Sequence, residues 1–154
     1  MKIAWELLSG RSGHDAGRTL LEKMCLQAIG RMPEIRITPQ GKPFFRDCDL
    51  HFSISHTNNH AFCVLADAPV GVDGEELTRR VNPALGEKVL SPGELAQYAS
   101  AADPNRAFLT FWVLKEAQGK CSGRGLGFHP RHTDFMLTDS RVFECDGCLV
   151  AIVC

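Results

Sequence analysis

HFSISHTNNHAFCVLADAPVGVDGEE, residues 51–76, is the stretch whose reading decides the fold. Leu50, Phe52 and Ile54 alternate with His51, Ser53 and Ser55, the period-2 pattern of a half-buried strand, and His56 closes it. Asn58, Asn59 and His60 make a hairpin-like connection into the continuous apolar run Ala61–Ala66. Beyond Pro69 a short strand runs from Val70 to Glu75, in which Val70 and Val72 face one way while Asp73 and Glu75 face the other. Two carboxylates on one face suit a hard cation such as magnesium, which takes oxygen ligands and keeps waters and phosphate oxygens in its shell. A solvated strand end feeding an acidic loop is the plainer reading of this pair taken alone.

Working outward, Lys2 to Leu8 reads as a strand, and Asp15 to Ile29 as a helix with Leu21, Met24, Cys25 and Ala28 at helical spacing and Gly30 as its stop. That helix carries Arg18 near its start. Pro39 to Pro43 is a turn. Further along, Asn82-Pro83 opens one helical segment, and Ser91-Pro92-Gly93-Glu94 opens another as a capping box with proline in the first turn. A third helix starts at Asp103-Pro104, has Phe108, Phe111, Trp112 and Ala117 on its apolar side, and ends in the glycine-rich 119–127 region. Two strands, Arg141 to Cys145 and Cys148 to Val153, close the chain around Asp146-Gly147. The pattern predicts an α+β fold. The charged stretch Glu75 to Arg80 is the candidate boundary between two helix-plus-sheet halves.

Composition narrows the function classes. The chain has 154 residues, 44% hydrophobic and 23% charged, as expected of one globular unit able to bury a core. A formal net charge of −1 provides no overall field to attract nucleic acid or an anionic membrane. The N-terminus does not read as a signal peptide, and no run approaches the roughly 18 apolar residues of a membrane span. Seven scattered cysteines do not form a secreted framework, so a cytoplasmic location is expected.

On the third helix, Glu116 and Lys120 are four apart and share a face. An exposed ion pair is the bland reading, worth little. The apolar turns before it bring Glu116 toward the edge of the core, where a carboxylate for metal beside a lysine for phosphate is a sensible pairing. Around Ser53-Ile54-Ser55-His56-Thr57, hydroxyls and an imidazole crowd a strand end that side-chain donors could turn into a phosphate site, although taken alone a capped strand end is the plainer reading. His129-x-x-His132 and Cys145-x-x-Cys148 have spacings that would suit a structural zinc. Asp146-Gly147 as a two-residue hairpin turn between paired strand cysteines is the better account.

GKP at 41–43, HFSISHT at 51–57, VGVDGEE at 70–76 and FWVLKEAQGK at 111–120 occur in that order, and together, over roughly Arg18 to Leu126, they resemble the Sfp-type 4′-phosphopantetheinyl transferases. The resemblance implies a single transferase domain over 1–154, built as a pseudo-twofold pair of halves, about 1–76 and 77–154, with the active site in the cleft between them. It implies transfer of the 4′-phosphopantetheine arm of coenzyme A to a serine of an apo acyl or peptidyl carrier protein, releasing 3′,5′-ADP. By motif, Asp73, Glu75 and Glu116 look like magnesium ligands, with Glu116 also placed to take the serine proton. Lys120 and Lys115 would lie near the phosphates. Arg18, Lys42, Ser55 and His56 resemble the set that holds the nucleotide's phosphates. A coenzyme A and carrier-protein binding protein without transfer activity is the alternative. The segments before GKP and after KEA are shorter than usual for this type, and Gln118-Gly119 replaces a bulky pair, Gly119 weakening its helix by up to ~1 kcal/mol.

Overall fold

The computed structural model describes residues 1–124 and 130–154. Gly125 to His129, which include Leu126 at the end of the resemblance and His129 of the zinc spacing, lie outside the described residues. Residues in chain order form β1 (Lys2–Leu7), α1 (Gly13–Ile29), β2 (Ile35–Ile37), β3 (Pro43–Phe45), β4 (His51–His56), β5 (His60–Ala66) and β6 (Gly71–Glu76). There follow a 3-10 turn at Pro83–Leu85, α2 (Gly86–Val89), α3 (Pro92–Ser100), α4 (Pro104–Ser122), a second 3-10 turn at Pro130–His132, β7 (Val142–Cys145) and β8 (Cys148–Val153). The class is α+β with antiparallel sheets, as expected.

Local chemistry sets the helix ends. Ser12 caps α1 by accepting the Asp15 N–H, and Gly30 stops it in the left-handed region at φ 72°. Ser91 and Glu94 complete the capping box of α3 in both directions. Asp103 caps α4, which runs through Gly119 to Ser122 before Gly123 ends it at φ 73°. The helix opened by Asn82-Pro83 is only the 3-10 turn followed by the single turn of α2. The β2–β3 hairpin was not expected. Its three-residue strands, paired Ile35↔Phe45 to Ile37↔Pro43, are too short to show a period.

Two three-stranded sheets carry the fold, ordered β1-β5-β4 and β6-β8-β7. β6 therefore joins the second sheet, and the sheets divide between Ala66 and Gly71, ahead of the charged stretch read as the boundary. Strand β5 is buried on both faces, which explains its unbroken apolar run. Ala61, Cys63 and Leu65 cluster with Leu20, Leu21, Met24 and Cys25 of α1. Phe62, Val64 and Ala66 cluster with Val70, Val72, Cys148 and Val150, an apolar layer shared by the two sheets. The opposite face of β8, at Leu149, Ala151 and Val153, lies under Phe108, Phe111 and Leu114 of α4. No helix among the described residues is long and apolar enough to cross a membrane.

Two glycines of the 70–76 motif let these layers close. A Cβ on Gly71 would sit 1.9 Å from the Ala117 carbonyl oxygen and 2.5 Å from the Cys121 nitrogen, so α4 rests directly on the β6 backbone. A Cβ on Gly74 would sit 2.7 Å from the Phe62 ring. Gly71→Ala has to push helix backbone aside, so urea unfolding should show a loss of about 1–3 kcal/mol, the usual cost of overpacking. An unchanged midpoint would mean that α4 does not rest on β6 this closely.

Candidate active site: carboxylates where two sheets meet

Strand β4 is an edge of the first sheet and β6 an edge of the second. Outward N–H groups of a buried edge need acceptors, and β4 supplies them from side chains. Ser53 Oγ accepts the Val72 N–H at 3.0 Å, and Ser55 Oγ accepts the Gly74 N–H at 3.3 Å. Ser55 also donates to Asp73 Oδ1 at 2.8 Å. The alternation that buries Phe52 thus aims both hydroxyls at β6.

Asp73 is 6% exposed, and the same Oδ1 receives Lys120 Nζ at 2.7 Å. Two residues on, Glu75 accepts from the Arg79 guanidinium and from Trp112 Nε1, the latter at 3.1 Å. Trp112, Glu116 and Lys120 are spaced four apart and so lie along one stripe of α4, the stripe that meets β6. Arg79 also stacks over Trp112. Burial, then the charges of Asp73 and Glu75, push the Glu116 carboxyl up from 4.5 to about 7, against the pull of Lys120 and Arg79. Burial likewise raises Glu75. Three carboxylates share two cations, and Glu116 absorbs the imbalance by holding its proton.

An all-oxygen donor set short of positive charge is chemically suited to a divalent cation such as magnesium. Among the described residues, however, no three His, Cys, Asp or Glu side chains are grouped to hold a metal ion. Asp73 is turned to Lys120, and Glu75 to Arg79 and Trp112. The donors fit magnesium by kind; their present orientation serves the protein's own cations.

The residues expected around phosphates are dispersed. Lys42 Nζ donates to the Cys121 carbonyl at 2.6 Å, and desolvation pulls its ammonium below the usual lysine range. With Lys120, Gly119, Ser53 and Ile54 it lines a cavity of about 240 Å³. His56, Thr57, Glu75 and Arg79 line a separate hollow of about 530 Å³. Ser55 is buried in the seam. Arg18 is exposed on α1 and lines neither hollow.

Lys115 is placed elsewhere. Its ammonium lies 2.8 Å from Glu94 Oε2, donates to the Thr133 carbonyl and faces the Phe135 ring, with the Lys115 and Glu94 side chains 2% and 0% exposed. A residue one step from Glu116 points about 100° around the helix, so Lys115 serves α3 and the chain at 133–135. Sequence reasoning missed Glu94 and Arg79 in these roles. The capping box at Ser91 did flag Glu94, but its bond to the Phe135 N–H and its ion pair are long-range. Arg79 lay in the charged stretch with nothing to say that it folds back on Glu75.

Cys145 and Cys148 face each other across the turn Asp146-Gly147, whose φ values of 49° and 75° fit a two-residue hairpin.

Comparison with known proteins identifies a family. Residues 69–149 match the family described as the 4′-phosphopantetheinyl transferase superfamily. The chain is 30% identical over 115 residues to the 4′-phosphopantetheinyl transferase gsp of Aneurinibacillus migulanus, covering 71% of this chain and 48% of that protein. It is 31% identical over 127 residues to psf-1 of Bacillus pumilus, another protein of that name, covering 74% and 53%. The chain spans about half the length of these curated relatives.

Two measurements probe the site. Because the folded Glu116 binds its proton more tightly than the ordinary 4.5, its penalty is absent at acid pH, grows between 4.5 and about 7, and is complete above. The gap corresponds to at most ~3 kcal/mol, and solvent screening at this half-exposed position brings it to about 1–2 kcal/mol. With chelator present, Glu116→Gln should therefore be the more stable protein at pH 8 and equal to wild type near pH 4; a gap independent of pH would contradict this. Removing one partner of a buried ion pair typically costs 3–5 kcal/mol. Lys115→Met should show a loss of about that size in denaturant melts, and adding Glu94→Gln should return part of it.

Proposed function

The chain belongs to the 4′-phosphopantetheinyl transferase superfamily, and from that premise we propose that it is one transferase domain that moves the 4′-phosphopantetheine arm of coenzyme A onto a serine of an apo acyl or peptidyl carrier protein, releasing 3′,5′-ADP. What carries the reading is the meeting of β6 with α4, where Lys120 Nζ lies 2.7 Å from Asp73 Oδ1 and Trp112 Nε1 3.1 Å from Glu75, on the same stripe of α4 as Glu116. A general base works best when its pKa is near the working pH.

In this mechanism Glu116 accepts the proton of the carrier serine. The serine oxygen forms a bond to the β-phosphorus of coenzyme A as the bond to the bridging oxygen breaks, and 3′,5′-ADP departs with that oxygen. No covalent enzyme intermediate is needed. Lys120 supplies positive charge where the pyrophosphate develops negative charge, and Asp73, fixed by Ser55, holds Lys120 in place. Asp73, Glu75 and Glu116 are the residues that would hold magnesium, which supplies further charge for the pyrophosphate oxygens. Lys42, His56, Ser55 and Arg18 are assigned to the nucleotide's phosphates. Lys115 acts on the site through Glu94 and the placement of α4 rather than by touching phosphate. A cytoplasmic setting fits a substrate of this kind.

The test is incubation with coenzyme A, magnesium and an apo carrier protein, read by intact mass for the added arm. Transfer is expected, with Lys120→Ala lowering kcat by about 10²-fold or more and His56→Ala raising KM for coenzyme A. Binding of coenzyme A without transfer to any of several carriers would replace the enzyme reading by that of a binding protein.

A further inference from the structure

The β7–β8 turn carries chemistry that phosphoryl transfer leaves unused. Cys145 and Cys148 are directly opposed in register. Opposed residues of antiparallel strands have Cα atoms about 4.5–5.5 Å apart, inside the roughly 4.4–6.8 Å span of a disulfide. Both thiols are free and buried, Cys145 9% and Cys148 0% exposed, at the margin of the apolar layer between the sheets.

His60, from the start of β5, joins this pair to a carboxylate. Its Nδ1 lies 3.4 Å from Cys148 Sγ, and its Nε2 lies 3.1 Å from Asp146 Oδ2. A carboxylate only accepts, so the ring proton sits on Nε2 and Nδ1 is left as acceptor. The Cys148 thiol therefore donates to Nδ1. Thiol, imidazole and carboxylate stand in the order of a nucleophile, its base and the group that orients the base. At rest burial holds the Cys148 thiol at about 11, protonated and inert.

We propose that Cys145 and Cys148 are a peroxide-responsive pair that closes into a hairpin disulfide with His60 as the proton carrier. A hydroperoxide transfers one oxygen to the less buried Cys145, forming a sulfenic acid and releasing water or an alcohol. Cys148 gives its proton to His60 Nδ1 and its sulfur attacks the Cys145 sulfur. The S–O bond breaks, and the departing hydroxide takes the proton from His60 and leaves as water. Two thiols lose two hydrogens, and one peroxide is reduced. The bond would form in the turn whose Gly147 carbonyl accepts the Leu77 N–H at 3.0 Å. Closure is thereby linked through the backbone to the segment that presents Arg79 to Glu75.

The experiment uses the full chain bearing Cys154→Ser, since Cys154 shares the tryptic peptide 142–154 with the pair. After hydrogen peroxide and alkylation under denaturing conditions, that peptide should have lost two hydrogens and taken up no alkylating agent. Cys148→Ser should halt at a Cys145 sulfenic acid that a cyclic dione traps. His60→Ala should slow closure by ~10-fold or more, as loss of a general base does. Asp146→Asn, at an exposed turn position that tolerates asparagine, should also slow closure while leaving the melting temperature near wild type, and it decides the matter if His60→Ala unfolds. Two alkylatable thiols after peroxide, overoxidation of Cys145 without closure, or a folded Asp146→Asn protein closing at the wild-type rate would each overturn the proposal.

Discussion

Two serine hydroxyls hold the halves of this protein in register. Strands β4 and β6 are both sheet edges, and a buried edge with unpaired N–H groups is costly. Ser53 and Ser55 remove that cost for Val72 and Gly74, and because Ser55 also donates to Asp73, the seam itself orients the carboxylate nearest the centre of the site. The apolar layer formed by Phe62, Val64, Val72 and Val150 excludes water behind the seam. Those hydrogen bonds are strong only in such surroundings.

From that fixed carboxylate the electrostatics follow. Lys120 reaches Asp73 because α4 lies flat on β6, which the missing side chain at Gly71 allows. Arg79 and Trp112 hold Glu75. Burial, and then the charges of Asp73 and Glu75, favour the neutral form of Glu116, which has no ion pair of its own among the described residues. Behind it the buried Lys115–Glu94 pair, with Glu94 also accepting from Ser91 and Phe135, ties α4 to α3. The lysine beside Glu116 is therefore part of the scaffold.

Much of this was written locally. Periodicity marked β4, α1 and α4, an unbroken apolar run marked β5, and capping residues at Ser91 and Asp103 marked where α3 and α4 begin, because faces and caps depend on neighbours within a few residues. Asp73 and Glu75 had to share a face for the same reason, as did Glu116 and Lys120. The turn at Asp146-Gly147 was legible from its dipeptide alone. Four ordered motifs then pointed to the family.

Which edge β6 would join was not local. Nothing in Val70–Glu75 distinguishes pairing with β4 from pairing with β8, since both partners offer an apolar face; the choice falls to β8, and β4 meets β6 through its serine side chains rather than its backbone. The ion pair of Lys115 with Glu94 and the meeting of His60 with Cys148 span separations that no short pattern records, and Arg79, only four residues from Glu75, reaches it across the end of β6, where no helical period applies. The sequence by itself determined which residues face together along each element. Only the tertiary structure decided which faces meet, because the free energy of a buried charge or an unpaired N–H is set by what the rest of the chain places against it.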